Sequence, residues 1–248
     1  MSLIKRIAKT IVSELFPENY QCISCDDELN SDKRYGLCDN CMNVIKFIKD
    51  RACIKCGALV IADSKVCSDC KKIARIIDKN YSSVLYEGKI RKIIHGLKYD
   101  NKKYYAKYLG KILYDKFVSL LKEYEPDIII PVPISQERMR VRGYNQVELL
   151  LDEFETHKEI IDCQVMVRVV DTPFQATLRR DDRMENLKGA FKLVDTTKLL
   201  NKKVLVVDDI FTTGATLDES ARLIYSAGAK EVRGLTLVNS HFDKPIED

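Results

Sequence analysis

The fold of this chain is decided by residues 204–216, which read VLVVDDIFTTGAT. An apolar run at 204–207 ends at two adjacent acids, and a loop of threonine and glycine then leads into a predicted helix. The run lacks the alternation of a half-exposed strand, which is typical of a central strand covered by helices on both faces. Because ligands of parallel α/β sheets bind beyond the carboxyl ends of the strands, the residues after Val207 are the first candidates for a functional site.

The loop that follows the strand has the chemistry of a sugar-phosphate site. Threonine hydroxyls and the free N–H groups at a helix N-terminus can bind a phosphate, and glycine lets the backbone approach it closely. The acids would repel a phosphate, but they suit sugar hydroxyls or a Mg2+ ion. The candidate residues are Asp208, Asp209, Thr212, Thr213, Gly214, Ala215 and Thr216. Neither a Walker-type loop nor GxGxxG occurs in the chain, and a calcium-type loop or plain helix N-cap is the alternative.

The rest of the chain predicts a matching architecture. Strands alternate with helices after residue 80, which indicates an α/β domain with a mostly parallel sheet. The predicted strands are 82–86, 165–170, 204–207 and 232–238, and the predicted helices are 89–97, 104–121, 147–154 and 215–227. Residues 127–131 form a further apolar run. The predicted organisation is an amphipathic helix at 1–19, a cysteine-rich domain at 20–72 and the α/β domain at 73–248.

The N-terminal helix is predicted from apolar residues at helical spacing, and Pro17 ends it. We expect its apolar face to pack on the following domain. A membrane-surface or partner helix is the alternative, although it has few basic residues for that role.

Eight of the nine cysteines fall in four C-x-x-C pairs, which are Cys22/Cys25, Cys38/Cys41, Cys53/Cys56 and Cys67/Cys70. Two such pairs complete a tetrahedral site of four thiolates, so the spacing predicts two structural zinc ions in a double zinc ribbon. Sequential pairing is the simplest, and an interleaved pairing of first with third and second with fourth stays open. A redox-active pair would explain one C-x-x-C but not four. Gly57 suits a knuckle with positive φ, and Cys163 is predicted to be buried.

Composition and charge limit the classes of protein to which this chain can belong. The chain has 248 residues, and its formal charge is 41 − 37 = +4. A hydrophobic fraction of 46% suffices for a packed core and excludes a disordered chain. Charges interrupt every apolar run well before the roughly 18 residues of a membrane helix, and the N-terminus does not have the pattern of a signal peptide. We therefore expect a cytoplasmic protein, where disulfides are rare, with the inner face of the membrane as the alternative location.

Positive charge is concentrated in residues 71–111. This segment has twelve Lys/Arg and three acids, a net charge of 12 − 3 = +9, and six of the twelve tyrosines. Basic side chains can follow a phosphate backbone while tyrosine rings stack on bases, which favours single-stranded nucleic acid as a ligand. The alternative is a solvated helix face with half-buried tyrosines. The candidate nucleic-acid residues are Arg91, Lys98, Tyr99, Lys102 and Lys103.

Residues 204–216 resemble, at all thirteen positions, the signature of type I phosphoribosyltransferases, which bind 5-phosphoribosyl-1-pyrophosphate (PRPP). Further stretches narrow the resemblance; they are Ile94–Tyr99, Pro131-Val132-Pro133, Arg138–Gln146, Arg168, Thr172, Gln175, Arg183, Asn186 and Gly189–Phe191. With the cysteine pairs, they make the chain resemble the ComF family of competence proteins over essentially its whole length. The family usually has Phe where this chain has Tyr144, a conservative departure.

The resemblance implies a role for each part of the site. Asp208 and Asp209 would contact the ribose 2′- and 3′-hydroxyls, residues 212–216 the 5′-phosphate, and the turn at 131–135 the pyrophosphate. Arg138, Arg140 and Arg142 would neutralise departing pyrophosphate together with Mg2+, unless they are ordinary surface charges. The candidate catalytic residues are Asp208, Asp209, Arg138 and Arg142. No general base stands out, and His95 and His241 are candidates only by residue type.

The resemblance also implies a part in natural transformation, in moving single-stranded DNA into the cytosol. The expected ligands are single-stranded DNA, PRPP, Mg2+ and zinc, and the candidate partners are a helicase, a membrane DNA-channel component and a second copy of the chain. Whether the protein transfers phosphoribosyl groups is open. A salvage or biosynthetic phosphoribosyltransferase is the alternative, but it needs neither zinc ribbons nor a basic segment. A structural adaptor with a relict loop is the third hypothesis, and the intact acids and threonines argue against it.

Overall fold

The structure is a computed structural model that describes residues 21–29, 31, 33–60, 64–170 and 187–242. The predicted helix at 1–19 lies outside these residues, as do Thr172, Gln175, Arg183 and Asn186. The strands are β1 (Lys79–Leu85), β2 (Ile128–Pro131), β3 (Met166–Arg168), β4 (Phe191–Leu193), β5 (Lys203–Phe211) and β6 (Glu231–Asn239). The α-helices are α1 (Asp39–Asn43), α2 (Ser68–Lys72), α3 (Gly88–Tyr99), α4 (Tyr105–Leu120), α5 (Gln136–Arg142), α6 (Gln146–Leu151) and α7 (Ala215–Ser226). Two short 3-10 helices cover Glu155–Ile160 and Thr197–Leu199.

Four strands form a parallel sheet in the order β1-β6-β5-β2, which confirms the predicted fold class. β3 and β4 pair separately as an antiparallel two-stranded sheet. β5 is longer than predicted: it continues through the two acids to Phe211, and Asp208 lies opposite Thr236 of β6. The acids therefore belong to the end of the strand rather than to the loop after it.

The two faces of β5 enter two different hydrophobic cores. Val204 and Val206 pack in a cluster that includes α7, and Leu205 and Val207 pack in a cluster that includes α3 and α4. All four side chains are fully buried, because helices cover both faces of the sheet. This confirms β5 as a central strand and places its carboxyl end between the helices.

The cysteine-rich region straddles the sheet at β1. Cys22 and Cys41 pack in the core of α3 and α4, whereas Cys53, Cys56 and Cys70 pack in the core of α7. The connecting residues run along β1 and pair with it: Ile48 N donates to Ser83 O at 2.9 Å, Leu85 N to Lys46 O at 2.9 Å and Asn80 N to Lys55 O at 2.8 Å. The zinc-binding region therefore covers the outer edge of the sheet and contributes to both cores.

Two further features of the structure differ from the predictions. Residues 136–142 form a helix, α5, that was not predicted; Ser135 caps it, since its hydroxyl accepts from Arg138 N at 3.3 Å, and Gly143 ends it at φ +77°. Cys163 was predicted to be buried and is exposed, because it lies in the bend between the 3-10 helix and β3. Among the described helices, none is long and apolar enough to cross a membrane.

Candidate functional site

A cleft of about 360 Å3 opens at the carboxyl ends of β2 and β5. Its walls come from α3, the turn after β2, α5, the end of β5 and the start of α7. Six of the predicted phosphoribosyl-site residues line it: Asp208, Asp209, Thr212, Thr216, Arg138 and Arg142. Thr213, Gly214 and Ala215 are buried behind this lining and shape the loop from within. The structure therefore brings the predicted site together in one place.

The two carboxylates at the floor of the cleft are almost fully buried. The residue exposures are 9% for Asp208 and 6% for Asp209, and Asp209 N donates to Asp208 Oδ1 at 2.8 Å. Burial raises the pKa of Asp208 from its usual 3.8 to about 8, and the neighbouring charge of Asp209 adds to this rise. Lys98 of α3 forms an ion pair with Asp209. A positive ligand beside Asp208 would stabilise its charged form and lower this pKa again.

Lys98 was predicted to bind nucleic acid, and the structure places it inside this cleft. Its side chain is 15% exposed and points at Asp209. Arg91 and Tyr99, two others of the predicted nucleic-acid set, also line the cleft. The remaining two lie elsewhere: Lys102 Nζ donates to the Tyr105 hydroxyl at 3.1 Å, and Lys103 Nζ lies 4.7 Å from the centre of the Tyr144 ring. The predicted set is therefore divided between the cleft and the turn that joins α3 to α4.

The phosphate-type loop begins after Phe211 and leads directly into α7. Gly214 stands before α7 at φ +83°, in the left-handed region, and Ala215 N donates to the Thr213 hydroxyl at 3.4 Å. A Cβ on Gly214 would overlap the guanidinium of Arg75 and lie 2.7 Å from Phe211 Cζ, so only glycine fits. The first N–H groups of α7, like those of any α-helix, have no acceptor within the helix. The helix dipole also makes this end of α7 favourable for negative charge. The loop can therefore receive a phosphate.

The three arginines of α5 lie on two different sides of the helix, as helical spacing predicts. Arg138 and Arg142 are four residues apart and line the cleft, whereas Arg140 between them is exposed. Arg142 donates to Gln146, and its guanidinium lies 5.6 Å from the centre of the Tyr99 ring. Burial lowers the pKa of Arg142, but arginine keeps its proton at neutral pH. Two cations of the predicted three are thus held at the cleft.

Three further cations complete the cleft. Arg168 reaches it from β3, beside Arg91 and Lys98 from α3. Only the family resemblance indicates Arg168 as a site residue, because the sequence around it has no local pattern. Five cations therefore face two acids in this cleft, a balance that favours a polyanion.

The turn after β2 is held by Asn145. Its Nδ2 donates to the carbonyl of Val132 at 3.1 Å, and its Oδ1 accepts from Val147 N at 3.0 Å, which caps α6. Val132 N in turn donates to Val207 O at 2.8 Å. Asn145 is a positioning residue that fixes the turn expected to face pyrophosphate.

The two candidate histidines, His95 and His241, lie outside the buried part of the site. His95 lines the cleft, but its side chain is 61% exposed; Nδ1 lies 3.5 Å from Asp100 and the ring 4.8 Å from that of Tyr99. His241 pairs with Asp69 at 3.1 Å and packs beside Phe211. His95 is therefore an exposed lining residue of the cleft, whereas His241 does not line it.

The tyrosines of the basic segment are partly structural. Tyr81, Tyr105 and Tyr108 are buried, whereas Tyr99 and Tyr104 are about half exposed. Only the exposed rings are available to stack on bases.

The eight paired cysteines form two separate groups. Cys22, Cys25, Cys38 and Cys41 make one group and Cys53, Cys56, Cys67 and Cys70 the other, with the sulfurs of each group within 4.8 Å of one another. The pairing is therefore sequential. Four thiolates complete a tetrahedral zinc site and leave no position for water, so both sites are structural.

The two knuckles are built alike. Asp26 N donates to Cys22 O and Gly57 N to Cys53 O, both at 2.9 Å, and these two residues have φ of +63° and +70°. The predicted conformation of Gly57 is confirmed. Lys89 of α3 donates to Cys41 Sγ at 2.9 Å, which places a positive charge beside the first group.

Comparison with known proteins agrees with this architecture. The profile of the double zinc ribbon domain matches residues 11–71, and that of the phosphoribosyl transferase domain matches residues 164–247. Competence protein F of Haemophilus influenzae is 32% identical over 220 residues, which are 87% of this chain and 95% of that protein. The chain belongs to the ComF family. Other ComF relatives are competence protein ComFC of Streptococcus pneumoniae, 26% identical over 82% of this chain and 87% of its own, and DNA utilization protein YhgH of Salmonella typhimurium, 28% identical over 80% and 88%.

Proposed function

We propose that this ComF protein binds PRPP with Mg2+ and single-stranded DNA, and that it assists the import of transforming DNA into the cytosol. The observation that carries the proposal is the cleft: five cations surround two buried carboxylates above a Thr-Gly loop at the N-terminus of α7. A phosphate at each end of a ribose is the small ligand that this arrangement fits best.

The three parts of PRPP match three parts of the cleft. The loop from Thr212 to Thr216 would hold the 5′-phosphate through backbone N–H groups and hydroxyls. Asp208 and Asp209 would accept the ribose hydroxyls, and Arg138 with Arg142 would face the pyrophosphate. Lys98 forms an ion pair with Asp209, so it would give way or turn towards a phosphate when the sugar binds.

Mg2+ suits this site because carboxylate and phosphate oxygens are its preferred ligands. Asp208 and Asp209 are the residues that would hold it, and its charge would neutralise departing pyrophosphate. Arg138 and Arg142, on the α5 wall of the cleft, would act in the same sense. This chain thus supplies positioning and electrostatic stabilisation, whether the ligand is only bound or also cleaved.

Phosphoribosyl transfer in salvage or biosynthesis is the second candidate function. The intact phosphate loop and acid pair favour it. Against it stands His95, the one histidine among the described residues that line the cleft, because its side chain is 61% exposed and is poorly placed to deprotonate an incoming nucleophile. We therefore propose binding as the main activity and leave transfer as a secondary hypothesis.

Single-stranded DNA would follow α3. A groove of about 430 Å3 between this helix and the first zinc ribbon adjoins the cleft and shares Arg91 and His95 with it. Lys92 and Lys102 line the groove, and Tyr99 and Tyr104 offer exposed rings nearby. A strand that bridges groove and cleft could contact four of the five predicted nucleic-acid residues, since Arg91, Lys98, Tyr99 and Lys102 line one or the other. A helicase, a membrane DNA-channel component or a second copy at the cytoplasmic side would be its partner in import.

Calorimetry with PRPP and Mg2+ tests the site. We expect wild type to bind and the variant Asp208→Ala/Asp209→Ala to lose binding by roughly a hundredfold or more, since it removes both ribose and Mg2+ ligands. The matched control is Glu155→Ala/Glu159→Ala, which removes two exposed acids from the 3-10 helix. Equal titrations of wild type and the Asp208/Asp209 variant would refute the site assignment.

A salt series tests the nucleic-acid proposal. Log affinity for single-stranded DNA should fall linearly with log salt, by about 0.7 for each phosphate contacted. Replacing Lys102 and Lys103 by Gln should flatten this slope, whereas Lys158→Gln, an exposed cation on the 3-10 helix, should not. Absence of binding at low salt would contradict the proposal.

A further inference from the structure

Arg75 lies directly beneath the phosphate-type loop, five residues after the last zinc ligand, Cys70. Its side chain is 3% exposed. Nη1 donates to the carbonyl of Thr213 and pairs with Asp218 Oδ2 at 3.0 Å, and the guanidinium lies 5.4 Å from the centre of the Phe211 ring. One buried cation thus touches the end of β5, the loop and the first turn of α7.

Asp218 ties this cation to the chain segment that leaves the second zinc ribbon. Its Oδ1 accepts from Ile76 N at 3.0 Å and from Ile77 N at 3.2 Å. These residues connect α2, which carries Cys70, to β1. Ile77 packs in one core with Cys53, Cys70 and Phe211. Contacts therefore run without a break from the second cysteine group to the loop.

The contact with Thr213 fixes the orientation of a peptide group. In a trans peptide the C=O of one residue and the N–H of the next point in opposite directions. Because the carbonyl of Thr213 points to Arg75, the N–H of Gly214 points to the side of the loop away from Arg75. The guanidinium also fills the space that a Cβ on Gly214 would need, so the loop rests on it. Burial alone would lower the pKa of Arg75, but Asp218 raises it, and the cation is permanent.

We propose that Arg75, anchored by the second zinc ribbon, is a positioning residue that holds the Gly214 N–H towards the 5′-phosphate of the ligand. The inference rests on the proposed function of the cleft as a PRPP site. The first ribbon has its own cation, Lys89, which contacts Cys41 and belongs to α3 rather than to the loop. Among the described contacts, the first ribbon therefore supports the α3 wall of the cleft and the second supports the phosphate loop.

The test compares two ligands that occupy different halves of the site, ribose 5-phosphate and Mg2+-pyrophosphate, by calorimetry. Arg75→Met should weaken ribose 5-phosphate roughly tenfold to a hundredfold and leave pyrophosphate within about twofold, because only the loop loses its support. Arg75→Lys, which keeps the charge beside Asp218, should restore part of the loss. Lys89→Met, the matched control at the first ribbon, should leave the ratio of the two affinities unchanged. Equal weakening of both ligands by Arg75→Met would overturn the inference.

A second measurement does not depend on any ligand. Hydrogen exchange should be faster across 209–218 in Arg75→Met than in wild type, with α4 unchanged as internal control and metal analysis showing the same zinc content. If wild type bound neither ligand, the proposed function would fail while this readout would still decide the role of Arg75. Should Arg75→Met fail to fold, Arg75→Lys and Asp218→Asn test the same contact. Unchanged exchange at the loop in these variants would overturn the proposal.

Discussion

At the scale of single residues, Asp208 shows how the site is maintained at a cost in stability. Its carboxyl is buried at the end of a central strand, and its pKa is raised from 3.8 to about 8. Between these values the folded protein binds more protons at this residue than the unfolded chain does. The free energy of unfolding therefore falls as pH rises through that window. A ligand cation would reverse this effect by stabilising the charge.

Asp208→Asn should stabilise the ligand-free protein by roughly 0.5–2 kcal/mol, as is common when a functional group is removed. Asn retains an oxygen at the position of Oδ1 for Asp209 N but cannot ionise. The gain should grow from mildly acidic pH to about pH 8 and then level off. Thermal unfolding at several pH values measures it, with Asp152→Asn, an exposed acid, as control. A gain that is independent of pH would show that the ionisation of Asp208 is not its cause.

Gly214 offers a second residue-scale prediction. Gly214→Ala and Gly189→Ala both place a side chain at strongly positive φ, +83° and +73°, which costs roughly 1–2 kcal/mol. Only at Gly214 does the new Cβ overlap neighbours, whereas Gly189 has nothing within 4 Å. Gly214→Ala should therefore cost about 1–3 kcal/mol more in the free energy of unfolding. Denaturant titration of both variants measures the difference, and equal losses would mean that Arg75 moves freely out of the way.

At the scale of elements, the sequence predicted the parts that have a strong local signal. The apolar run of β5 and the glycine-terminated α7 were found because burial on both faces leaves a readable pattern. β5 ended too early in the prediction because two acids resemble a strand end, although pairing with β6 continues past them. α5 was missed because its charged residues show no apolar periodicity.

Contacts between elements could not be read from the chain. Lys98 stands among other basic residues, and nothing local shows that its face of α3 turns to Asp209. The contact of Arg75 could not be predicted either, since its partner Asp218 is 143 residues away in the sequence. The prediction that Cys163 is buried rests on residue type alone, and residue type does not determine how exposed a side chain is in a bend.

The zinc ribbons give a prediction at this scale. Wild type should contain about two zinc ions per chain, and Cys56→Ser should contain about one, because the two cysteine groups are separate. Cys163→Ser, at the exposed ninth cysteine, should leave the count unchanged. Metal analysis by mass spectrometry after gentle purification gives the ratio. Complete loss of zinc in Cys56→Ser would indicate that the two sites form only together.

At the scale of the whole molecule, the cleft and the groove beside α3 form one continuous surface. Arg91 and His95 border both. A DNA strand in the groove should therefore hinder PRPP, since the two anions draw on the same cations.

Saturating single-stranded DNA is expected to weaken PRPP binding by roughly fivefold or more, measured by calorimetry with and without an oligodeoxythymidylate. Arg91→Gln should reduce this effect, whereas Lys230→Gln, an exposed cation beyond α7, should not. An unchanged PRPP affinity would place the DNA path away from the cleft.

The way residues 46–55 lie along β1 has one more consequence. Their hydrogen bonds to Ser83, Leu85 and Asn80 occupy the side of β1 that faces away from β6. A bare outer strand is a template on which another chain can pair, so proteins shield such strands. Here residues 46–55 shield β1, and this segment joins the two cysteine groups, so we expect zinc to hold it in place. Stripping zinc from the ribbons would uncover β1 and promote self-association, and metal supply would then govern whether the molecules stay apart.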